Sequence, residues 1–157
     1  MDKITRNQSF GVFVAATRII VLVAALGGVL AEARQPINAS ALLGTWVNIN
    51  TTSRGLVRIV ITDVSGDFEV HPYGSCSPTP CDWGMHPALR FSSSVGSSTA
   101  VGFNVVIITS FKTSYMQGHL IKSSTGQTLL EVTTQSKFTQ RGDLREDYEM
   151  TERFQLK

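Results

Sequence analysis

Gly44-Thr45-Trp46-Val47-Asn48 is a short alternation of small, polar and apolar residues around one large aromatic. Seven further strand-like runs follow it at roughly even spacing. The eight runs cover residues 43–50, 56–62, 68–73, 89–93, 101–111, 115–122, 127–138 and 147–156. Apolar residues recurring at every second position mark strands buried on one face. In the second run Val57, Ile59 and Ile61 share a face and Arg58 takes the other. In the third, Phe68, Val70 and Pro72 oppose Glu69, His71 and Tyr73, and Pro72 argues for an edge or bulge there. Residues 34–157 sustain no helical repeat, so the strands need no crossover helices and the simplest topology is a meander. Closing the meander removes its exposed edges. The expected fold is all-β, an eight-stranded antiparallel up-and-down barrel over residues 43–157. Trp46 would plug one end of it.

The N-terminus reads differently. Lys3, Arg6 and Arg18 stand against Asp2, followed by 13 uncharged apolar residues at 19–31 and the small-x-small triplet Ala31-Glu32-Ala33. A positive segment, a short apolar core and a small-residue exit describe a secretory signal peptide over residues 1–33. The core is shorter than the ~20 apolar residues a membrane span needs. The competing reading is an uncleaved anchor over residues 10–33. With cleavage, the mature chain begins at Arg34, is secreted or periplasmic, and opens with a polar tail at 34–42. Removing Lys3, Arg6 and Arg18 from the 14 basic residues, and Asp2 and Glu32 from the 12 acidic ones, leaves a net charge near +1. That charge makes no electrostatic case for nucleic acid or an anionic membrane.

Both cysteines, Cys76 and Cys81, stay in the mature chain, and two cysteines in an exported protein are most simply a disulfide. A metal site would need more ligands at a recognisable spacing. His71, His86 and His119 are available, but no such spacing exists, and neither metal nor cofactor is expected.

In an up-and-down barrel the loops after the first, third, fifth and seventh strands share one end. Here they are residues 50–55, 74–87, 112–114 and 139–146, with Trp46 at the other end. The 74–87 loop holds both cysteines, three prolines, Trp83 and His86. Long loops on a rigid scaffold carry function, and barrel mouths hold ligands. Tyr73, Trp83, His86 and His71 are therefore candidate ligand contacts, set against a plain role in packing the loop onto the rim. Asp82 with His71 or His86 is a candidate acid/base pair, which requires hydrogen-bond reach. Glu152 shares the face of Tyr148, Met150 and Phe154, which is expected to point inward. A carboxylate there must find a partner or shift its pKa. It would orient a ligand, pair structurally, or be turned out by a bulge. Arg141-Gly142-Asp143 spells the integrin tripeptide, and Asn38 and Asn50 begin N-glycosylation sequons.

The opening G-x-W on such a meander resembles calycin barrels: lipocalins, avidins and bacterial metalloprotease inhibitors. Gly44-Thr45-Trp46-Val47-Asn48 is most similar to avidins, whose first strand also has Gly, one residue, Trp and a following Asn. The avidin cage of tryptophans is missing, since only Trp46 and Trp83 exist, so biotin binding is not carried over. Lipocalins pair the floor tryptophan with an arginine near the last strand. Arg153 is the candidate here, although its alternation puts it off the Phe154 face. The stretch from His71 to Gly84 resembles a family of small, uncharacterised secreted proteins with the pattern H-x-Y-G-x-C-x-P-x-x-C-D-W-G after an arginine-glycine turn, here Arg54-Gly55. That resemblance implies no activity.

Two readings of different classes follow. One is a secreted barrel that binds a small apolar or amphipathic molecule, lined by Phe103, Val105, Ile107, Leu130, Val132, Met150 and Phe154. The other is a protein-interaction module, such as a protease inhibitor, acting through the mouth loops. An enzyme using the His71/Asp82/His86 mouth is a third. Pairing of barrels through their outer faces would give a homo-oligomer.

Overall fold

The computed structural model describes residues 37–157, so the predicted signal peptide and the first residues of the tail lie outside the described part. Ten strands make one antiparallel sheet: β1 (Gly44–Asn48), β2 (Leu56–Val64), β3 (Asp67–Gly74), β4 (Cys81–Asp82), β5 (His86–Pro87), β6 (Leu89–Ser92), β7 (Ala100–Ile108), β8 (Lys112–Lys122), β9 (Thr128–Phe138) and β10 (Tyr148–Leu156). No helix occurs among the described residues.

The order along the sheet is β4-β3-β2-β1-β10-β9-β8-β7-β6, with β5 branching onto β3. Each of the eight expected runs is a strand, and sequence neighbours pair along the sheet. The first strand also pairs with the last, with Trp46 opposite Leu156 and Asn48 opposite Phe154. The expected count of eight and the expected closed ladder are corrected. The sheet has ten strands, and β3 does not pair with β6. The reason is local. The edge of β3 is taken by the long loop, with β4 opposite Tyr73 and Gly74 and β5 opposite Glu69 and Val70. The next residues hand over to β7, where Leu89 lies opposite Asn104. Isolated contacts bind the seam instead: Ala88 backbone N–H donates to Phe68 C=O at 2.9 Å, and the Arg90 guanidinium pairs with Asp63.

The turns follow their residues. Ser65 and Gly66 join β2 to β3 with φ of 56° and 96°. Two positive φ values at a two-residue hairpin match the right-handed twist of the strands it connects. The turn after β7 is Thr109-Ser110-Phe111, three residues earlier than the alternation suggested. There the Thr109 hydroxyl accepts from Lys112 N–H at 3.2 Å and donates to Lys112 C=O at 3.0 Å. This hydroxyl clasp starts β8 at Lys112, so Lys112 and Ser114 belong to the buried face. The expected tail is tied down from Asn38, which donates to Ser98 C=O at 2.7 Å, and Leu42 is fully buried.

The buried face is strongly apolar at the Trp46 end. Trp46, Phe103, Phe154, Ile61, Val70, Leu130 and Val132 are almost wholly enclosed. Burying each such side chain stabilises by roughly 1.5–3 kcal/mol. Two cross-strand glycines let aromatic rings lie on the sheet. Phe103 sits opposite Gly118, and Phe91 opposite Gly102. A Cβ on Gly102 would come within 2.4 Å of both the Gly118 carbonyl oxygen and the Phe91 ring. Gly102→Ala is therefore expected to destabilise by about 1–3 kcal/mol. Gly96→Ala, with no neighbour near its Cβ, should be close to neutral. Urea unfolding checks the pair: the midpoint should fall for the first variant only, with an unchanged slope.

Candidate functional site

At the end of the sheet away from Trp46, the buried face changes character. Asn48, Lys112, Ser114, Thr134 and Ser136 are polar and buried there. The alternation of β8 and β9 puts them on the core side. Lys112, Ser114 and Met116 are buried on β8, and Val132, Thr134 and Ser136 on β9. Register sets Ser114 opposite Ser136, and their hydroxyls meet at 3.2 Å. The Thr134 hydroxyl is buried with no hydrogen-bond partner among the described residues. A buried hydroxyl left in that state costs about 1–3 kcal/mol.

Lys112 ends this row. The residue is 6% exposed, and its Nζ lies 3.9 Å from the centre of the Trp83 ring. Burial pushes its pKa down, and repulsion from Arg145 adds to the shift. No carboxylate among the described residues lies within ion-pair reach of it.

Trp83 is placed by its own loop. Its N–H donates to Pro72 C=O at 3.1 Å, and its indole lies on Gly74, where a Cβ would come within 2.7 Å of Nε1. Any larger residue at position 74 would lift the ring. The Cys76–Cys81 disulfide closes the loop, with Cα atoms 5.4 Å apart. Ser75 N–H donates to Gly55 C=O at 2.8 Å, tying this loop to the β1–β2 turn.

Glu152 also lies at this end, and its carboxylate is already occupied. It accepts from Leu56 N–H at 2.9 Å, from Asn48 Nδ2 at 2.9 Å and from the Ser53 hydroxyl. Asn48 Nδ2 donates as well to Leu56 C=O at 2.7 Å. Together these bonds close the β1–β2 turn over the middle of β10. Of the readings open for Glu152, its contacts are those of structural pairing.

The other candidates do not converge with this row. His71 and Tyr73 lie on the outer side of β3, alternating with the buried Phe68 and Val70. His71 Nε2 is 2.5 Å from Asp82 Oδ1, and Gly84 N–H donates to the same oxygen at 2.7 Å. The carboxylate accepts from Nε2–H, which leaves Nδ1 to face the Tyr73 hydroxyl at 3.3 Å. The Tyr73 and His71 rings stack at 4.4 Å, and the Arg58 guanidinium covers Tyr73 at 3.8 Å. This chain of contacts ties β4 to β3. The His71 bond, then the Gly84 bond, hold the Asp82 carboxyl below its usual range. His86 Nε2 bonds the Trp83 carbonyl at 2.8 Å and so carries its proton there. Arg153 is exposed and pairs with Glu131 at 2.8 Å, while Trp46 Nε1 donates to Leu42 C=O at 2.8 Å. The Asp143 carboxylate of the integrin-like tripeptide is held by Arg145, which brings its pKa to about 2. Among the described residues, no three His, Cys, Asp or Glu side chains converge to hold a metal ion.

On the outer side, a groove of about 540 Å³ is lined by Leu89, Asn104, Val106, Tyr115, Gln117 and Gln135, with no charged side chain among them.

The sequence reading passed over Lys112, Ser114, Thr134 and Ser136. Polar residues in a strand are normally read as its solvent side. The signal was their spacing: Ser114 shares the parity of Met116, and Thr134 and Ser136 that of Leu130 and Val132.

Glu152→Ala strands three donors, and a loss of about 2–4 kcal/mol is expected in urea unfolding. Glu152→Gln should recover part of it. Asp82 predicts an acid response. Its folded pKa lies below the ordinary 3.8, so its contribution is complete above that value and disappears as pH falls through the lower folded value. Amide exchange at Trp83 and Gly84 should quicken over that acid range, and Asp82→Asn should remove the step. Function has to be argued from this geometry, because no family model, curated protein or solved structure matches the chain.

Proposed function

We propose that the chain is an exported binding protein whose sheet wraps into a barrel, and that it takes a small amphipathic molecule at the Trp83 end of its buried face. The observation that carries this reading is the row Lys112–Ser114–Ser136–Thr134. A fold gains nothing in stability from a buried, unpartnered hydroxyl and a buried lysine without a counterion. Groups kept at such a cost are what a binding site requires: a few polar contacts set in an apolar wall. Trp83, Ile107, Met116 and Leu56 supply that wall.

Three features support the barrel. The first and last strands pair, the β3/β6 seam is held by Ala88–Phe68 and Arg90–Asp63, and Phe68 meets Phe103 across it with ring centres 6.4 Å apart. The G-x-W opening resembles calycins, which accords with the same shape. Export rests on the N-terminal pattern and agrees with the disulfide. The outer groove favours a second reading, an interaction surface that pairs two copies. Val106, Tyr115 and Leu89 are all at least half exposed there.

Native mass spectrometry of the full chain, expressed through an oxidising secretory route, tests these points together. A discrete small mass above the chain mass supports ligand binding, and a whole-number multiple of chains supports pairing. The denatured mass reports whether residues 1–33 have been removed. Thr134→Val gives a sharper test. Without ligand it should gain about 1 kcal/mol, because it removes an unpartnered hydroxyl. Its ligand occupancy should fall. A variant that loses stability and keeps its ligand would overturn the reading.

A further inference from the structure

The polar row is asymmetric. Three hydroxyls occupy one part of it and a single cation the other. No acidic group among the described residues pairs with the cation. Glu152 is held by Asn48, Ser53 and Leu56, Asp143 by Arg145, and Asp147 accepts from Phe138 N–H at 2.8 Å. Arg145, the other cation of this end, stacks over Phe138 at 4.1 Å and repels Lys112 rather than neutralising it. Among the described residues, the aromatic ring over the ammonium is that of Trp83. A cation–π contact offsets only part of the cost of taking the charge out of water.

We propose that the ligand carries a negatively charged group, a carboxylate or an anion of similar size, and that Lys112 is its countercharge. This rests on the binding-barrel reading above and names the class of ligand. The hydroxyls of Ser114, Ser136 and Thr134 serve the neutral polar part of the same molecule. A serine or threonine hydroxyl both donates and accepts, so these positions accept a carbonyl, an amide or a hydroxyl equally well. Lys112 supplies the sign selectivity. The Trp83 ring fixes the ammonium from one side and leaves its remaining N–H bonds for the anion. The Cys76–Cys81 loop holds that ring in place.

The test uses the full chain with isotope-labelled lysine and follows the side-chain Nζ–Cε signals by NMR. The probes are hexanoate and its neutral counterpart hexanamide. Hexanoate should shift the Lys112 signal saturably and leave Lys122, Lys137 and Lys157 in place. Its affinity should exceed that of hexanamide by about 10- to 100-fold, the size of a charge-assisted hydrogen bond. Lys112→Met should bring the two probes to equal affinity. Lys112→Gln repeats the measurement with a polar side chain should the first variant fold poorly. Equal binding of both probes to the unaltered chain would overturn the anion assignment and leave the barrel reading standing, as would a neutral molecule found bound in the native mass. A Lys112 signal that neither probe moves would also overturn the assignment. The barrel reading then stands or falls on the native mass alone.

Discussion

Strand β1 lies between β2 and β10, so both ends of the described chain enter one continuous ladder. Trp46 faces Ile59 on one side and Leu156 on the other, and its indole N–H is taken by the Leu42 carbonyl. The long-range pairings of β8, β9 and β10 acquire a common inner side only when β1 joins β10 to β2. Removing this strand would expose two edges and the largest core residue at once. Apolar contact and backbone pairing are cooperative here. The ladder orients the side chains, and their burial against Phe103, Phe154 and Leu130 repays the entropy of closing so long a loop.

Most of this was legible in the sequence, because period two is a strong signal when β-branched residues carry it. The runs around Ile59-Ile61, Val105-Ile107 and Leu130-Val132 could hardly point elsewhere. Two features escaped. The short strands β4 and β5 have two residues each, too few to show any period, and they sit among prolines. They fill the edge of β3 and divert the ladder. The start of β8 escaped too, because a Thr109 hydroxyl and not a glycine makes the turn. That shift turned Lys112 and Ser114 inward. The candidate site was hidden by the rule that locates strands, for it consists of polar residues on the side where apolar ones are expected.

The two ends of the buried face follow opposite economies of structure. Near Trp46 the buried side is apolar, and the indole N–H has its partner in the Leu42 carbonyl. Near Trp83, Asn48 and Glu152 form a satisfied pair with the Leu56 backbone, and that pair is structural. In the row beside it the Ser114 and Ser136 hydroxyls bond each other, while the Thr134 hydroxyl has no partner among the described residues. Contrast between neighbours of similar burial separates the two roles more surely than polarity alone. Glu152 looked the more suggestive residue in the sequence, being a charge on an apolar face. Thr134 looked ordinary. Their hydrogen bonds reverse that order.

The loop above the row completes the argument. A mobile lid would be built with few ties, yet this one is fixed at every level: the disulfide, His71 with Asp82, His86 with the Trp83 carbonyl, and Ser75 with Gly55. On the proposed binding reading, such ties reduce the conformational freedom that ligand capture would otherwise have to remove. Apart from Trp83, the aromatic and histidine residues around the loop serve its ties: Tyr73 and His71 work on the outer side of β3, and His86 bonds the Trp83 carbonyl. Their task is to hold one indole over one ammonium. On this account the least ordinary stretch of the sequence is scaffolding, and the chemistry belongs to the plain residues it covers.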